Sequence, residues 1–129
     1  MALICQGHHH WCYSTVTANT PRSRKSKGAK FQNEVREALL EKFEGKLEPD
    51  DIKTAVMGES GEDIKLSPAA QKLFHFAVEC KRTEKISLRQ WWRQACQNSN
   101  EKLKPLVITK QNREEPLVVL SLQDFLDLL

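Results

Sequence analysis

An acid and an amine two positions apart, Glu79 and Lys81, are the residues of this 129-residue chain best suited to chemistry, and Asp63 precedes them. The pair lies in FHFAVECKR, whose apolar residues predict a strand. On a strand, Glu79 and Lys81 point to one face, whereas Cys80 points to the other, into the core. If the preceding strand pairs with this one, Asp63 reaches the same edge. The pattern therefore predicts two carboxylates and one ammonium at one site.

Two carboxylates this close repel each other unless a cation lies between them, and hard oxygen ligands suit Mg²⁺. Such an ion polarises a phosphoryl oxygen and supplies a water or hydroxide nucleophile, while a neighbouring lysine orients that water or stabilises developing negative charge. This is the chemistry of phosphodiester hydrolysis. Glu34, at the margin of an upstream apolar stripe, is placed to add a direct or water-mediated ligand. The alternative for E-x-K alone is an exposed ion pair at the end of a strand.

The elements that must position these residues alternate between helices and strands. The spacing of apolar residues and of turn signals predicts a helix over about 29–44, short strands within 52–58 and 62–66 forming a hairpin, one helical turn within 67–74, a strand over 74–82, a helix around 88–96, interior strands at 105–109 and 117–120, and a final helix over 122–129. This order, αβββαββα, predicts an α/β fold with a central mixed sheet flanked by helices.

Several residues of this pattern favour packing over chemistry. Helical spacing places Trp92 in the core and leaves Trp91 partly exposed for an interface. Cys80 and Cys96 are expected to be buried small apolar residues. His75 is expected on the surface of the strand or in the core, without a catalytic role.

Three short motifs carry a resemblance to a known family: FQNE at 31–34, GED at 61–63 and VECK at 78–81. In this order they resemble the PD-(D/E)XK nuclease superfamily, most closely the phage-type nucleases and archaeal Holliday-junction resolvases. The resemblance covers about 26–129 through KGAKFQNE, ESGEDI and VECKR, and it implies a restriction-endonuclease-like core. One position departs from the pattern, because Glu62 precedes the aspartate where the family often has proline.

The resemblance implies a set of site residues and a cofactor. The cofactor is Mg²⁺, for which Mn²⁺ substitutes, and the DNA products carry 5′-phosphate ends. The following helix often contributes a glutamine in such nucleases; of Gln90 and Gln94, we favour Gln94 because it lies nearer the sheet side of the helix. The implied catalytic residues are Glu34, Asp63, Glu79, Lys81 and Gln94, and the implied metal ligands are Asp63, Glu79, Glu34 and the backbone carbonyl of Cys80.

Positive charge is concentrated before the first predicted helix. The formal net charge is only +3, but PRSRKSKGAKF carries five cations and no acid. We interpret residues 1–28 as a flexible basic arm and residues 29–129 as the nuclease domain, with a solvated tail as the alternative for the arm. Next to a nuclease site, cations favour contact with phosphates, and the loop at Ser60 and Gly61 offers a hydroxyl and N–H groups for the same purpose. The predicted DNA-binding residues are Arg22, Arg24, Lys25, Lys27, Lys30 and Ser60.

Length and composition exclude several classes of protein. A chain of 129 residues holds one domain rather than two, and 40% hydrophobic with 29% charged residues is typical of a globular protein. No run approaches the roughly 18 apolar residues of a membrane span, and the start lacks the features of a signal peptide. We therefore expect a cytoplasmic protein with reduced cysteines. His8, His9 and His10 between Cys5 and Cys12 match no common zinc module, which favours a leader segment.

The site residues predict a Mg²⁺-dependent DNA endonuclease, and the resemblance implies that it is structure-selective, most closely a Holliday-junction resolvase, phage-encoded and acting in the host cytoplasm. Paired cuts on two strands require two sites, so we expect a two-fold homodimer. Candidate dimer faces are Trp91, the terminal helix around Phe125, and an open apolar strand edge. A nicking, restriction-like or repair nuclease is the first alternative. A catalytically silent nucleic-acid-binding module, accessory to recombination, is the second.

Overall fold

The computed structural model describes residues 20–129. The predicted leader with its histidine run, and the first part of the predicted arm, lie outside these residues. Within residues 20–129, no helix is long and apolar enough to cross a membrane.

Four helices and five strands make up the described part of the chain. The helices are α1 (Pro21–Lys42), α2 (Pro68–Leu73), α3 (Leu88–Asn98) and α4 (Leu122–Asp127). The strands are β1 (Ile52–Thr54), β2 (Ile64–Leu66), β3 (Phe76–Arg82), β4 (Lys104–Lys110) and β5 (Leu117–Val119), and a 3₁₀ turn (Pro49–Asp51) precedes β1. The predicted order of elements is confirmed.

The strands form a hairpin and a three-stranded mixed sheet. β1 and β2 pair antiparallel, as predicted, with Thr54 opposite Ile64. In the mixed sheet β4 lies between β3, which is parallel to it, and β5, which is antiparallel. The strand before β3 does not pair with β3 along its length, because β2 belongs to the separate hairpin. Only Asp63, just before β2, forms hydrogen bonds with the backbone of β3.

Helix α1 begins eight residues before the predicted start at 29. Thr20 caps it, its Oγ1 accepting a hydrogen bond of 3.1 Å from the N–H of Ser23, and Pro21 occupies the first turn. The first two turns carry no apolar stripe, so the apolar spacing pointed only to the part around Phe31 and Val35, which are buried. The structure therefore places residues 21–28 in a helix where the sequence predicted a flexible arm.

The two faces of the mixed sheet are covered by different helices. Phe31 and Val35 of α1 share one apolar cluster with Val78 of β3 and Ile108 of β4. On the other face, α3 packs against Val107 of β4. Because side chains alternate along a strand, the neighbours of Val78 in β3 point to the α3 side. The sheet thereby directs Glu79 and Lys81 toward α3 and Val78 and Cys80 toward α1.

Two predictions about α3 are wrong. Trp91 is buried, with 6% of its surface exposed, whereas Trp92 is only partly buried, because the contact with the sheet is centred on Trp91 and Ala95. This burial removes Trp91 as a dimer face. Cys96 is exposed rather than buried, since it lies on the side of the helix away from that contact.

The end of the sheet also differs from the prediction. β5 is an edge strand rather than an interior one, and Leu117 and Val118 keep 55% and 54% of their surfaces exposed. Apolar residues alone do not distinguish a central strand from an edge strand. His75 is exposed just before β3, so it lies on the surface and not in the core.

Candidate active site

Glu79 and Lys81 meet on the α3 side of β3, as their two-residue spacing predicts. Lys81 Nζ lies 3.1 Å from Glu79 Oε1. Glu79 is buried, with 3% of its surface exposed, and its second oxygen accepts a hydrogen bond of 3.2 Å from the side-chain amide of Asn98. A buried carboxylate is stable only when its oxygens are paired, and here both have partners.

Gln94 joins the same cluster from α3. Its Oε1 accepts a hydrogen bond of 2.8 Å from Lys81 Nζ, so the ammonium is held between a carboxylate on β3 and an amide on α3. The choice of Gln94 over Gln90 agrees with this contact. Asn98 is a site neighbour that the sequence reasoning missed, although its position four residues after Gln94, on the same side of a helix, was the available signal.

Asp63 lies beside the edge of β3 that faces away from β4. Its Oδ2 accepts a hydrogen bond of 2.7 Å from the N–H of Cys80, and its own N–H donates to the carbonyl of Val78 at 2.9 Å. Burial raises the pKa of Asp63 to about 6, and the charge of Glu79 adds to this, while the Cys80 N–H and the ammonium of Lys81 act in the opposite direction. The site thus disfavours a second negative charge unless a cation accompanies it.

Cys80 contributes its backbone rather than its thiol. Burial, with the negative charges of Asp63 and Glu79, raises the pKa of the thiol, which leaves it protonated and unreactive. The N–H and C=O of one strand residue point to the same edge. Since the Cys80 N–H contacts Asp63, the Cys80 carbonyl lies on that edge as well.

Glu34 lies on a different element from this cluster. It is half-buried on α1, the helix that covers the opposite face of the sheet from Glu79 and Lys81. Among residues 20–129, no group of three or more histidine, cysteine, aspartate or glutamate side chains is arranged to hold a metal ion. The oxygen donors at the site are therefore two carboxylates and one backbone carbonyl, and a ligand role for Glu34 stays a prediction.

Lys65 of β2 contacts the loop that precedes Asp63. Lys65 Nζ donates to the carbonyl of Ser60 at 3.1 Å and lies 3.6 Å from a carboxylate oxygen of Glu59. Gly61 has φ +99°, and a Cβ there would lie 3.1 Å from Lys65 Nζ. Both the backbone angle and the close approach favour glycine at this position. The Ser60 side chain is exposed in this loop, and phosphate binding by it stays a prediction.

The comparison with protein families places this geometry in context. Residues 23–128 match the model of a family described as "Phage putative PDDEXK endonuclease". The chain belongs to this family. The match confirms the PD-(D/E)XK resemblance and its phage type, and it covers each residue of the cluster. Searches of curated proteins and of solved structures found no significant match.

A polar network links α1 of this PD-(D/E)XK chain to the end of β3 beyond Lys81. Arg82, whose side chain is 6% exposed, donates to Oδ1 of Asn112 at 2.7 Å. The ammonium of Lys27 donates to the same oxygen at 3.4 Å. The sequence reasoning missed Arg82 and Asn112, which lie 30 residues apart and share no motif. The network holds the basic half of α1 near the strand ends.

The other four predicted DNA-binding cations lie along the same half of α1. The side chains of these four residues are exposed, as a surface that contacts phosphates requires. They are Arg22, Arg24, Lys25 and Lys30.

Proposed function

We propose that this chain is a Mg²⁺-dependent endonuclease that hydrolyses phosphodiester bonds in DNA. The observation that carries the proposal is the cluster on β3. A carboxylate and an ammonium lie 3.1 Å apart at Glu79 and Lys81, and Asp63 is hydrogen-bonded to the backbone between them. Membership of an endonuclease family supports DNA as the substrate.

The donor set fits a hard divalent cation. Asp63, Glu79 and the Cys80 carbonyl offer oxygen ligands, which Mg²⁺ and Mn²⁺ prefer. Burial raises the pKa of Asp63, so a cation bound beside it would favour the ionised carboxylate. Bound there, Mg²⁺ would polarise a phosphoryl oxygen and lower the pKa of a water molecule. We propose Glu34 as a further ligand, direct or through water.

Lys81 supplies the positive charge that belongs to the protein itself. Glu79 and Gln94 hold its ammonium in one place, so it does not need to reorganise when charge develops on the phosphate. We therefore assign Lys81 the stabilisation of the transition state and the orientation of the attacking water. Gln94 positions Lys81, and Asn98 positions Glu79.

Within this class we propose a junction-resolving activity and a two-fold homodimer. The resemblance to archaeal Holliday-junction resolvases supports the substrate, and paired cuts require two sites. The exposed edge strand β5 and the apolar side chains of α4 support an interface between two copies, with Val118 and Phe125 exposed at 54% and 48%. The family's phage type supports the host cytoplasm as the place of action.

Cleavage of labelled DNA tests the proposal. A four-way junction and a linear duplex of the same sequence are incubated with the protein in Mg²⁺, in Mn²⁺ and in EDTA. We expect cleavage in both metals, a preference for the junction, and no cleavage in EDTA. Asp63→Ala and Glu79→Ala should abolish cleavage while DNA binding persists. The matched change Glu101→Ala, on an exposed residue, should leave cleavage unchanged.

The alternatives predict other outcomes of the same assay. Equal cleavage of junction and duplex would indicate a nicking, restriction-like or repair nuclease. Binding without cleavage in any metal would indicate a silent accessory module. Full activity in EDTA would contradict the metal-dependent mechanism. Light scattering measures the oligomeric state, and Val118→Lys should shift the equilibrium from dimer toward monomer.

A further inference from the structure

The solvent side of α3 carries arginine and glutamine but no acid. The helix reads LRQWWRQACQN, and its exposed residues include Arg89, Gln90, Arg93 and Gln97. We call these four residues the α3 polar face.

Folding does not account for this composition. Packing of α3 on the sheet rests on Trp91 and Ala95, on the opposite side. Arg89 and Arg93 lie one turn apart, where like charges repel each other. Neither arginine pairs with a carboxylate in the described part of the chain, in contrast to Arg36, which lies 2.7 Å from Glu37.

The α3 polar face is continuous with the candidate active site. Gln94 touches Lys81 at 2.8 Å. Gln90 precedes Gln94 by four residues and Gln97 follows it by three, so the three glutamines share one side of the helix. Arg93 flanks this row on its outer side, and Arg89, one turn earlier, lies farther round the helix beside Trp92 and Leu122. If the phosphate to be cut lay at Glu79 and Lys81, the neighbouring nucleotides of the same DNA strand would lie beside α3.

We propose that the α3 polar face binds the DNA duplex beside the phosphate to be cut, and this inference rests on the proposed function. Arginine neutralises phosphates, and glutamine amides both donate to and accept from phosphates and base edges. The 11 residues of α3 span about 16 Å. This length corresponds to roughly five nucleotides at about 3.4 Å along one strand.

The position of α3 complements that of α1. The cations of α1 lie on a helix covering one face of the sheet, and the α3 polar face lies on the helix covering the other. The edge of β3 with Asp63 lies between them. DNA held by both helices would therefore place its backbone at the carboxylates, which by themselves repel it.

Binding measurements on charge-neutral variants test the inference. Arg89→Gln/Arg93→Gln keeps helix propensity and polarity while it removes both charges. Fluorescence anisotropy with a labelled duplex in EDTA, over a series of salt concentrations, gives affinity without cleavage. We expect the affinity to fall several-fold and the slope of log K against log salt to decrease by about 1.8, since each phosphate contact contributes about 0.9.

Three further variants separate charge, amide contacts and location. Arg89→Lys/Arg93→Lys should restore most of the salt slope. Gln90→Ala/Gln97→Ala should weaken binding with an unchanged slope. The control Lys46→Ala/Lys72→Ala removes two exposed cations near the opposite end of β3 and should bind like the wild type.

The outcomes separate this inference from the proposed function. If the wild type binds and cuts DNA while Arg89→Gln/Arg93→Gln keeps its affinity and salt slope, the role of α3 is overturned and the nuclease assignment stands. If the wild type neither binds nor cuts any DNA in Mg²⁺ or Mn²⁺, the proposed function fails and this inference fails with it.

Discussion

Replacement of Asp63 by asparagine should stabilise the metal-free protein at neutral pH. Burial raises the pKa of Asp63 from 3.8 to about 6, so the fold favours the protonated carboxyl over the carboxylate. The stability that this proton contributes is complete below pH 3.8 and is lost as the pH rises through about 6. Asparagine is neutral at every pH and keeps an oxygen for the Cys80 N–H.

The magnitude follows from the pKa shift. The rise in the pKa of Asp63 from 3.8 to about 6 corresponds to roughly 3 kcal/mol, at about 1.36 kcal/mol for each tenfold change in proton affinity. The side chain retains partial contact with solvent, which screens the charge and reduces this to about 1–2 kcal/mol. In EDTA at pH 7.5, the free energy of unfolding of Asp63→Asn should therefore be about 1–2 kcal/mol higher than that of the wild type. The difference should shrink as the pH falls through about 6 and should disappear only below pH 3.8.

Urea denaturation followed by tryptophan fluorescence, at several pH values between 4.5 and 7.5, measures this difference directly. The control Asp50→Asn alters an exposed aspartate and should show no comparable pH-dependent difference. Added Mg²⁺ should stabilise the wild type more than Asp63→Asn, because ligands that bind only the folded state stabilise it. An Asp63→Asn protein that is less stable than the wild type at pH 7.5 in EDTA would refute the reasoning.

Three further predictions concern the neighbours of Asp63 and the basic helix. Lys81→Ala should lower the cleavage rate strongly but leave Mg²⁺ binding, measured by calorimetry, largely intact, and Lys81→Arg should rescue the rate poorly because a planar guanidinium cannot occupy the place of a compact ammonium. Asn98→Ala should destabilise the fold by about 1–3 kcal/mol in urea denaturation, since it leaves a buried oxygen of Glu79 without its amide partner. Neutralising Lys25 and Lys30 with glutamine should reduce the salt dependence of DNA binding by about 1.8 in slope, and an unchanged slope would show these cations to be merely solvated.

The sequence predicted the parts of the site that depend on local geometry. The two-residue spacing on a strand was enough to bring Glu79 and Lys81 together, and the helical period was enough to place Gln94 on the sheet side of α3. The family resemblance that we drew from the same short motifs is confirmed by the match over residues 23–128. The side of a strand or helix on which a residue lies follows from the two-residue period of the strand or the 3.6-residue period of the helix.

Contacts that depend on packing were not predictable in the same way. Which face of the mixed sheet receives α1 is a property of the whole fold, and the helix that carries Glu34 packs on the face opposite Glu79 and Lys81. The start of α1 was missed because its first turns bury little apolar surface, so a cap at Thr20 rather than periodicity marks it. The burial of Trp91 and the partial exposure of Trp92 were predicted the wrong way round for a similar reason. An apolar stripe that contains both residues does not show which of them lies at the centre of the contact with the sheet.

The arrangement around β3 sets stability against activity in one side chain. Glu79 and Lys81 neutralise each other and are held by amides from α3, so this half of the site is compatible with a stable fold. The positive charges of Lys81 and Lys65 offset the burial of Asp63 only in part, so this carboxyl costs free energy whenever it is ionised. A cation at the β3 edge removes this cost, and ionised Asp63 is also the form that binds one. The metal-free fold therefore disfavours the ionised form of Asp63, which is the form that the proposed catalysis needs. For this reason we expect Asp63→Asn to stabilise the metal-free protein and also, because it removes a carboxylate ligand, to lose cleavage.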